Sequence, residues 1–316
     1  MNLEELRGRQ RSLIKLVYEN LDRSTLPAFI LFSYLGARIC YAESHPLSLF
    51  EEEKFRDFER FKSFLLHLKK AGHFSVFAHT PIFVNTSSFS LEERFALASS
   101  FFKVFWDEEK ELALFNLRHL AENLEDQTFL HLVNAEPKLE EIEVILAKDF
   151  QIHYKGPLSE LDRAFLEEEK SFFARPEIII LKSKGEAPFN WLGVIAHNFS
   201  RIFSHQFVRH TWLNFNQRSH RYTRVDRFVI PKAFAERHIP LYEEAIRSGM
   251  KIYEELCKNM KRESARFVVP QGVSTSVLAT GPELVWRDFV GKRAIPQAQE
   301  EIRDLAIFLK DTLGFS

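Results

Sequence analysis

Cysteine is nearly missing from this chain. Cys40 and Cys257 are the only two among 316 residues, too few and too far apart for a disulfide framework or a Cys-x-x-Cys metal site, which fits a reducing compartment. Each reads as a small buried apolar residue. A charge surplus is missing too: 43 Lys and Arg stand against 44 Asp and Glu, so no overall field holds nucleic acid or anionic lipid, and any anion site has to be local. No apolar run reaches the roughly 18 residues that suggest a membrane span, and the opening MNLEELRGRQ has no signal-peptide core. The expectation is a cytoplasmic protein without a membrane partner. Glycine-rich phosphate loops of the GxGxxG or Walker type are absent, as are the HExxH zinc pattern and the GxSxG nucleophile elbow. No metal is expected, and a nucleophilic serine has little support.

What is present is apolar mass and helical periodicity. Hydrophobic residues make up 45% of the chain, with 32 Phe among them, enough for one large core or two modest ones. Apolar residues recurring at three- and four-residue steps predict helices over 2–22, 25–41, 48–71, 91–104, 110–124 and 137–147. A glycine stop followed by β-branched and aromatic residues predicts a helix end leading into a strand over 72–86, and strands are expected at 150–156 and 177–185. Further on, 196–210 reads as a helix entering a loop, 239–262 as an amphipathic helix, and 266–280 as a turn and strand. Pro296 suits the first turn of a closing helix with Ile302, Leu305, Ala306 and Leu309 on one stripe. The fold class is therefore α+β, dominated by helices.

Against that neutral background, residues 204–227, SHQFVRHTWLNFNQRSHRYTRVDR, hold five arginines and three histidines. On a helix, Gln206, Arg209 and His210 share one face with apolar neighbours, and a guanidinium on an apolar arc is costly unless an anion meets it. Arg218, Arg221, Arg224 and Arg227 follow in a stretch expected to be a loop, where planar donor forks can converge on a phosphate. A phosphorylated small molecule is the natural ligand. The plain alternative is a set of ion pairs with acidic neighbours.

The stretch RHTWLNFNQRSHRY resembles the signature of the flavin-dependent thymidylate synthases, an Arg-His-Arg start followed by Ser and then Gly-Arg-Tyr. GARICYAESHP (36–46), GHFSVFAH (72–79), and ARFVVP (265–270) with KRAIPQAQEEI (292–302) resemble further motifs of that family, in the same order. The resemblance implies that family's fold, mostly helical with a central antiparallel or mixed sheet. It also implies conversion of dUMP to dTMP with a methylene group from tetrahydrofolate and hydride from FAD reduced by NADPH, in a homotetramer whose sites lie between subunits. By resemblance, Gln206, Arg209, Gln217, Ser219, His220, Arg221, Arg266 and Arg293 are the dUMP-binding set. Arg293 and Ser219 would act in catalysis, Arg293 by stabilising negative charge on the uracil ring. His73, Ser75, Arg209, His210, Thr211, Asn216 and Asp288 would lie at the flavin.

The chain departs from the family pattern chiefly on the flavin side. Ala78 stands where the family has Glu, Thr211 replaces the second Arg of Arg-His-Arg, Gln217 replaces Glu, and His220 replaces Gly. Pro282, Leu284 and Asp288 fall on other family contacts. About a hundred extra residues separate His79 from Ser200, too many for an ordinary loop. The expected organisation is a catalytic domain from 1–84 and 191–316 with an inserted α/β subdomain at 85–190. Two alternatives follow from the departures and the arginines. One is a paralogue that binds a pyrimidine nucleotide with different one-carbon chemistry or without FAD. The other is a single-stranded nucleic-acid binder stacking bases on Trp212, Phe215 and Tyr222, against which the neutral charge argues.

Overall fold

The computed structural model describes residues 3–167, 171–183 and 189–315. Among them a small antiparallel sheet joins β1 (Pro81–Asn85), β2 (Phe105–Asp107) and β3 (Leu112–Asn116) in the order β1-β3-β2. A larger sheet joins β4 (Ile142–Lys148), β5 (Gln151–Pro157), β6 (Glu177–Ser183), β7 (Trp191–Ser200), β8 (Asn214–Gln217) and β9 (Ser274–Pro282). Its order is β5-β4-β6-β7-β9-β8, with every neighbour antiparallel.

β7 is buried along its whole length. A strand covered on both faces has to be apolar nearly throughout, and WLGVIAHNFS is. Ile195 faces a core built mostly from the helices Leu3–Glu19, Leu31–Ile39 and Phe58–Lys70 and from the small sheet. Val194 and Ala196 face the opposite core, closed by the helices Arg201–Phe207, Glu283–Arg293 and Glu300–Leu313. A third, smaller cluster lies under the long helix Ile239–Cys257. The architecture is α+β, a sheet between two helical layers.

Strands replace two of the expected helices. Leu112–Asn116 is a strand that pairs with β1, and only Arg118–Asn123 after it is helical. Ile142–Lys148 is a strand as well, where Ile142, Val144 and Leu146 alternate toward one core while the acidic run before them imitates a helical start. The expected helix at 196–210 is strand as far as Ser200, whose hydroxyl then accepts from Phe203 N and caps a helix that stops at Phe207. Pro296 lies ahead of the closing helix, which begins at Glu300 under a Gln299 cap. The helix Glu283–Arg293 was not anticipated from periodicity. Of the strand expected at 177–185, the last two residues lie outside the described ones.

β4, β5 and β6 all come from the segment 85–190, and β6 pairs with β7 from Glu177 opposite His197 to Lys182 opposite Leu192. The expected boundary at 190 thus falls between two paired strands of one sheet.

Candidate functional site

At the end of the large sheet where β7 stops and β9 begins, a cleft of about 440 Å³ opens. Its polar lining includes Arg201, Gln217, Arg218, Ser219, His220 and Arg266. Three segments supply them: Arg201, the run 217–220, and Arg266. Arg201 is the first residue of the helix that Ser200 caps. Gln217 ends β8, and its amide donates to Thr275 Oγ1 (3.1 Å). Ser219 is held by its backbone N–H, which donates to the Cys40 carbonyl (2.9 Å), and Arg218 by its own, which donates to the Ser276 carbonyl (2.8 Å). His220 donates from Nε2 to the Ser274 carbonyl (3.1 Å).

No carboxylate lines this cleft among the described residues. Burial, with Arg201 and Arg218 close by, pushes the His220 pKa down to about 4. Burial and the neighbouring Arg266 also lower that of Arg201. Arg201 and Arg266 repel each other across this cleft, which concentrates positive charge there.

Gln217, Ser219, His220 and Arg266 of the anticipated substrate set therefore meet in one cleft. Arg209 and Arg293 form a second cationic group with His210, to whose Nε2 Arg293 Nε donates (2.8 Å). Burial and the adjoining Arg209 lower the Arg293 pKa, while burial and Arg293 take His210 down to about 4. Gln206, half-buried, lies on the helix between the two groups. Arg221 does not enter the cleft. It lies on the surface against Glu263, with Nε and Nη2 each 3.1 Å from that carboxylate. The loop arginines diverge rather than converge: Arg218 faces the cleft, Arg221 pairs with Glu263, and Arg227 lines a different cavity.

On the anticipated flavin side, His73, Ser75 and Thr211 are exposed. Asp288 is exposed and paired with Lys292 (2.6 Å). Asn216 is turned inward: its amide donates to the Gly36 carbonyl (2.9 Å) and its Oδ1 accepts from His79 Nε2 (3.1 Å). Thr280 completes the chain by donating to His79 Nδ1 (2.9 Å). Three of the quoted motifs thus interlock at one buried point.

Sequence reasoning passed over Lys103, which comes from the 85–190 segment. Its ammonium donates to the Leu213 carbonyl (2.6 Å) and to Asn214 Oδ1 (2.9 Å), tying that segment to the arginine-rich one. Burial and nearby Arg118 bring its pKa down to about 8. Nothing local in the sequence marks this contact, which spans 110 residues. Arg201 was within reach, standing beside the serine N-cap Ser200 in the stretch FSRIFSHQFVRH at 199–210.

Residues 180–313 match the family model described as thymidylate synthase complementing protein. The flavin-dependent thymidylate synthase of Thermococcus onnurineus is 38% identical over 117 residues, covering 34% of this chain and 47% of that protein. The enzymes of the same name from Sulfolobus acidocaldarius and Mycobacterium bovis are 34% and 31% identical, over 34% of this chain and 43% and 51% of theirs. The match spans about half the length of these curated relatives and leaves the two N-terminal motifs outside it.

Proposed function

We propose that this chain, whose residues 180–313 match the thymidylate synthase complementing protein family model, catalyses the reductive methylation of dUMP to dTMP in a flavin-dependent manner. The observation that carries this reading is the cleft where Arg201 and Arg266 meet beside Gln217 and Ser219, with no carboxylate among the described lining residues, which suits a nucleoside monophosphate. Gln217 and Ser219 on its wall offer neutral donors and acceptors for a sugar or a base. Burial pushes the Cys40 thiol up, away from the nucleophilic thiolate, and neither cysteine lines the cleft. In this reading methylene-tetrahydrofolate supplies the one-carbon group, and FAD reduced by NADPH supplies the hydride, as the family resemblance implies.

The donor set accommodates a flavin cofactor in part. Arg209 brings positive charge that a pyrophosphate needs, with Arg293 beside it for the pyrimidine, and His73, Ser75 and Thr211 are exposed and open to contact. Asn216 is committed to the core and contributes only by fixing β8. A bound flavin would supply the hydride; this chain's own residues hold the anions and orient the pyrimidine. His210, neutral over the physiological range, accepts from Arg293 and so aims the guanidinium.

The two cationic groups would serve one site if copies of the chain pack together, as in a homotetramer. Phe267, 89% exposed on the cleft rim, and exposed Ile202, Val208 and Leu284 support such packing. The 85–190 segment is then an elaboration of the catalytic fold, not an appendage.

The test is purified protein with 5-tritiated dUMP, FAD, NADPH and methylene-tetrahydrofolate. Flavin absorbance with tritium release is expected, and Arg266→Ala should weaken dUMP binding by about tenfold or more, the loss of a charged hydrogen bond. Calorimetry showing dUMP binding without FAD binding would favour the paralogue with different one-carbon chemistry, a reading that Thr211 and Leu284 motivate. Inert protein that binds no dUMP would refute both.

A further inference from the structure

Every guanidinium on the wall of the cationic cleft is a donor. Arg201, Arg218 and Arg266 bring N–H groups and no lone pair, so only acceptors can meet them. His220 stands among them and is different in kind. Glycine occupies this position in the family pattern, so the imidazole adds a group that the pattern lacks.

The His220 ring is held in one tautomer. Its Nε2 lies 3.1 Å from the Ser274 carbonyl, which can only accept, so Nε2 carries the proton. Burial, reinforced by the charges of Arg201, Arg218 and Arg266, brings its pKa down to about 4 and keeps the ring neutral. Nδ1 is therefore a bare lone pair over the physiological range.

That lone pair has no hydrogen-bond partner among the described residues. Three other side-chain atoms there also lack one and are closed to solvent: Thr86 Oγ1, Asn116 Oδ1 and Asn198 Oδ1. Asn198 lines a separate cavity of about 420 Å³, yet its oxygen is sealed. His220 Nδ1 is not among these sealed atoms, although the residue is only 7% exposed. The ring lines the cleft, so this nitrogen opens there. Gln271 on the same wall is exposed, whereas His220 is buried and pinned, which aims its lone pair in one direction.

A phosphate dianion cannot satisfy this nitrogen, because its oxygens are acceptors too. A ligand with its anionic end on Arg201 and Arg266 needs a donor close behind, and in a nucleotide the unit joined to the phosphate is the sugar. A 2′-deoxyribose 5′-phosphate has a single hydroxyl to offer, on C3′. We propose that His220 is a specificity-determining residue of the cleft, its Nδ1 accepting a hydrogen bond from the sugar 3′-hydroxyl of the bound nucleoside monophosphate. This role rests on the cleft taking dUMP, as proposed above.

Isothermal calorimetry on the full chain, with FAD added, compares dUMP with 2′,3′-dideoxyuridine 5′-monophosphate, which differs only in lacking that hydroxyl. Wild-type protein should bind dUMP about tenfold more tightly, since the analogue removes a hydrogen bond and leaves the buried acceptor unpaired. Two variants separate the acceptor from the fold. His220→Gln can still donate to the Ser274 carbonyl but has no acceptor at the Nδ1 position, and it should lose the preference. His220→Asn sets its oxygen where Nδ1 stood and gives up the Ser274 bond, and it should keep the preference even as both affinities fall. A merely structural role would lower both affinities together and leave their ratio alone. If neither variant folds, the wild-type ratio decides. Equal binding of the two nucleotides by wild-type protein, or a preference that survives in His220→Gln, overturns the proposal while dUMP recognition stands. Failure of both nucleotides to bind overturns the dUMP reading and this role with it.

Discussion

Gly36 has no room for a side chain. A Cβ there would lie 2.5 Å from Cδ2 of His79, and the His79 ring is pinned on both nitrogens by Thr280 and Asn216. Gly36→Ala should therefore destabilise the protein by about 1–3 kcal/mol through overpacking. Adding His79→Ala should relieve part of that cost, so that the double-mutant cycle in urea denaturation is non-additive. The same ring sets an acid limit. Burial lowers the His79 pKa from 6.5 to about 4, so folding favours the neutral form. Its contribution is complete above pH 6.5 and falls away as the pH drops toward 4, by roughly 1.4 kcal/mol per pH unit. His210 and His220 are shifted in the same direction. Melting temperature followed from pH 7 to pH 4.5 should fall, and His79→Gln should flatten the slope. An unchanged slope in that variant would place the loss elsewhere.

Elements depend on caps and on pattern, and these were unequally legible. Ser200 ends β7 and begins the helix that leads into the arginine-rich stretch. Its hydroxyl accepts from Phe203 N (3.1 Å) and hydrogen-bonds Glu301, which also accepts from Ser200 N (2.9 Å). Ser200→Ala should cost about 1 kcal/mol as the loss of an N-cap. A larger loss measured by denaturation would show that the Glu301 contact matters as well, because burial already holds the Glu301 carboxyl above the usual range and losing a donor adds to that strain. The amphipathic helix Ile239–Cys257 and the apolar strand β6 could be read directly, since one period or one composition dominates each. Short apolar runs such as 112–116 could not. Five residues fit either period, and only pairing with β1 decides for a strand.

At the scale of the molecule, the segment 85–190 supplies three of the six strands in the large sheet. Excising it behind a short linker should leave β7 as an exposed apolar edge and yield protein without a cooperative melting transition. A soluble, cooperatively folding remainder would show that the two parts stand apart. Lys103 gives the same expectation in small form, because it holds Leu213 and Asn214 from inside that segment.

Residue chemistry and spacing along the chain were enough to expect an α+β protein with a concentrated arginine-rich stretch, and the motif resemblance pointed to the family that residues 180–313 match. Those properties are local: charge density, periodicity and ordered motifs survive without knowledge of the fold. Which guanidinium groups face one another was settled only by tertiary structure. Arg201 and Arg266 meet although 65 positions apart, whereas Arg221, two residues from Ser219, turns away to Glu263. The orphaned Asn198 oxygen and the cavity that Asn198 lines belong to the same class of fact. They arise where strand register brings distant segments side by side, and register follows from the packing of two cores on one sheet.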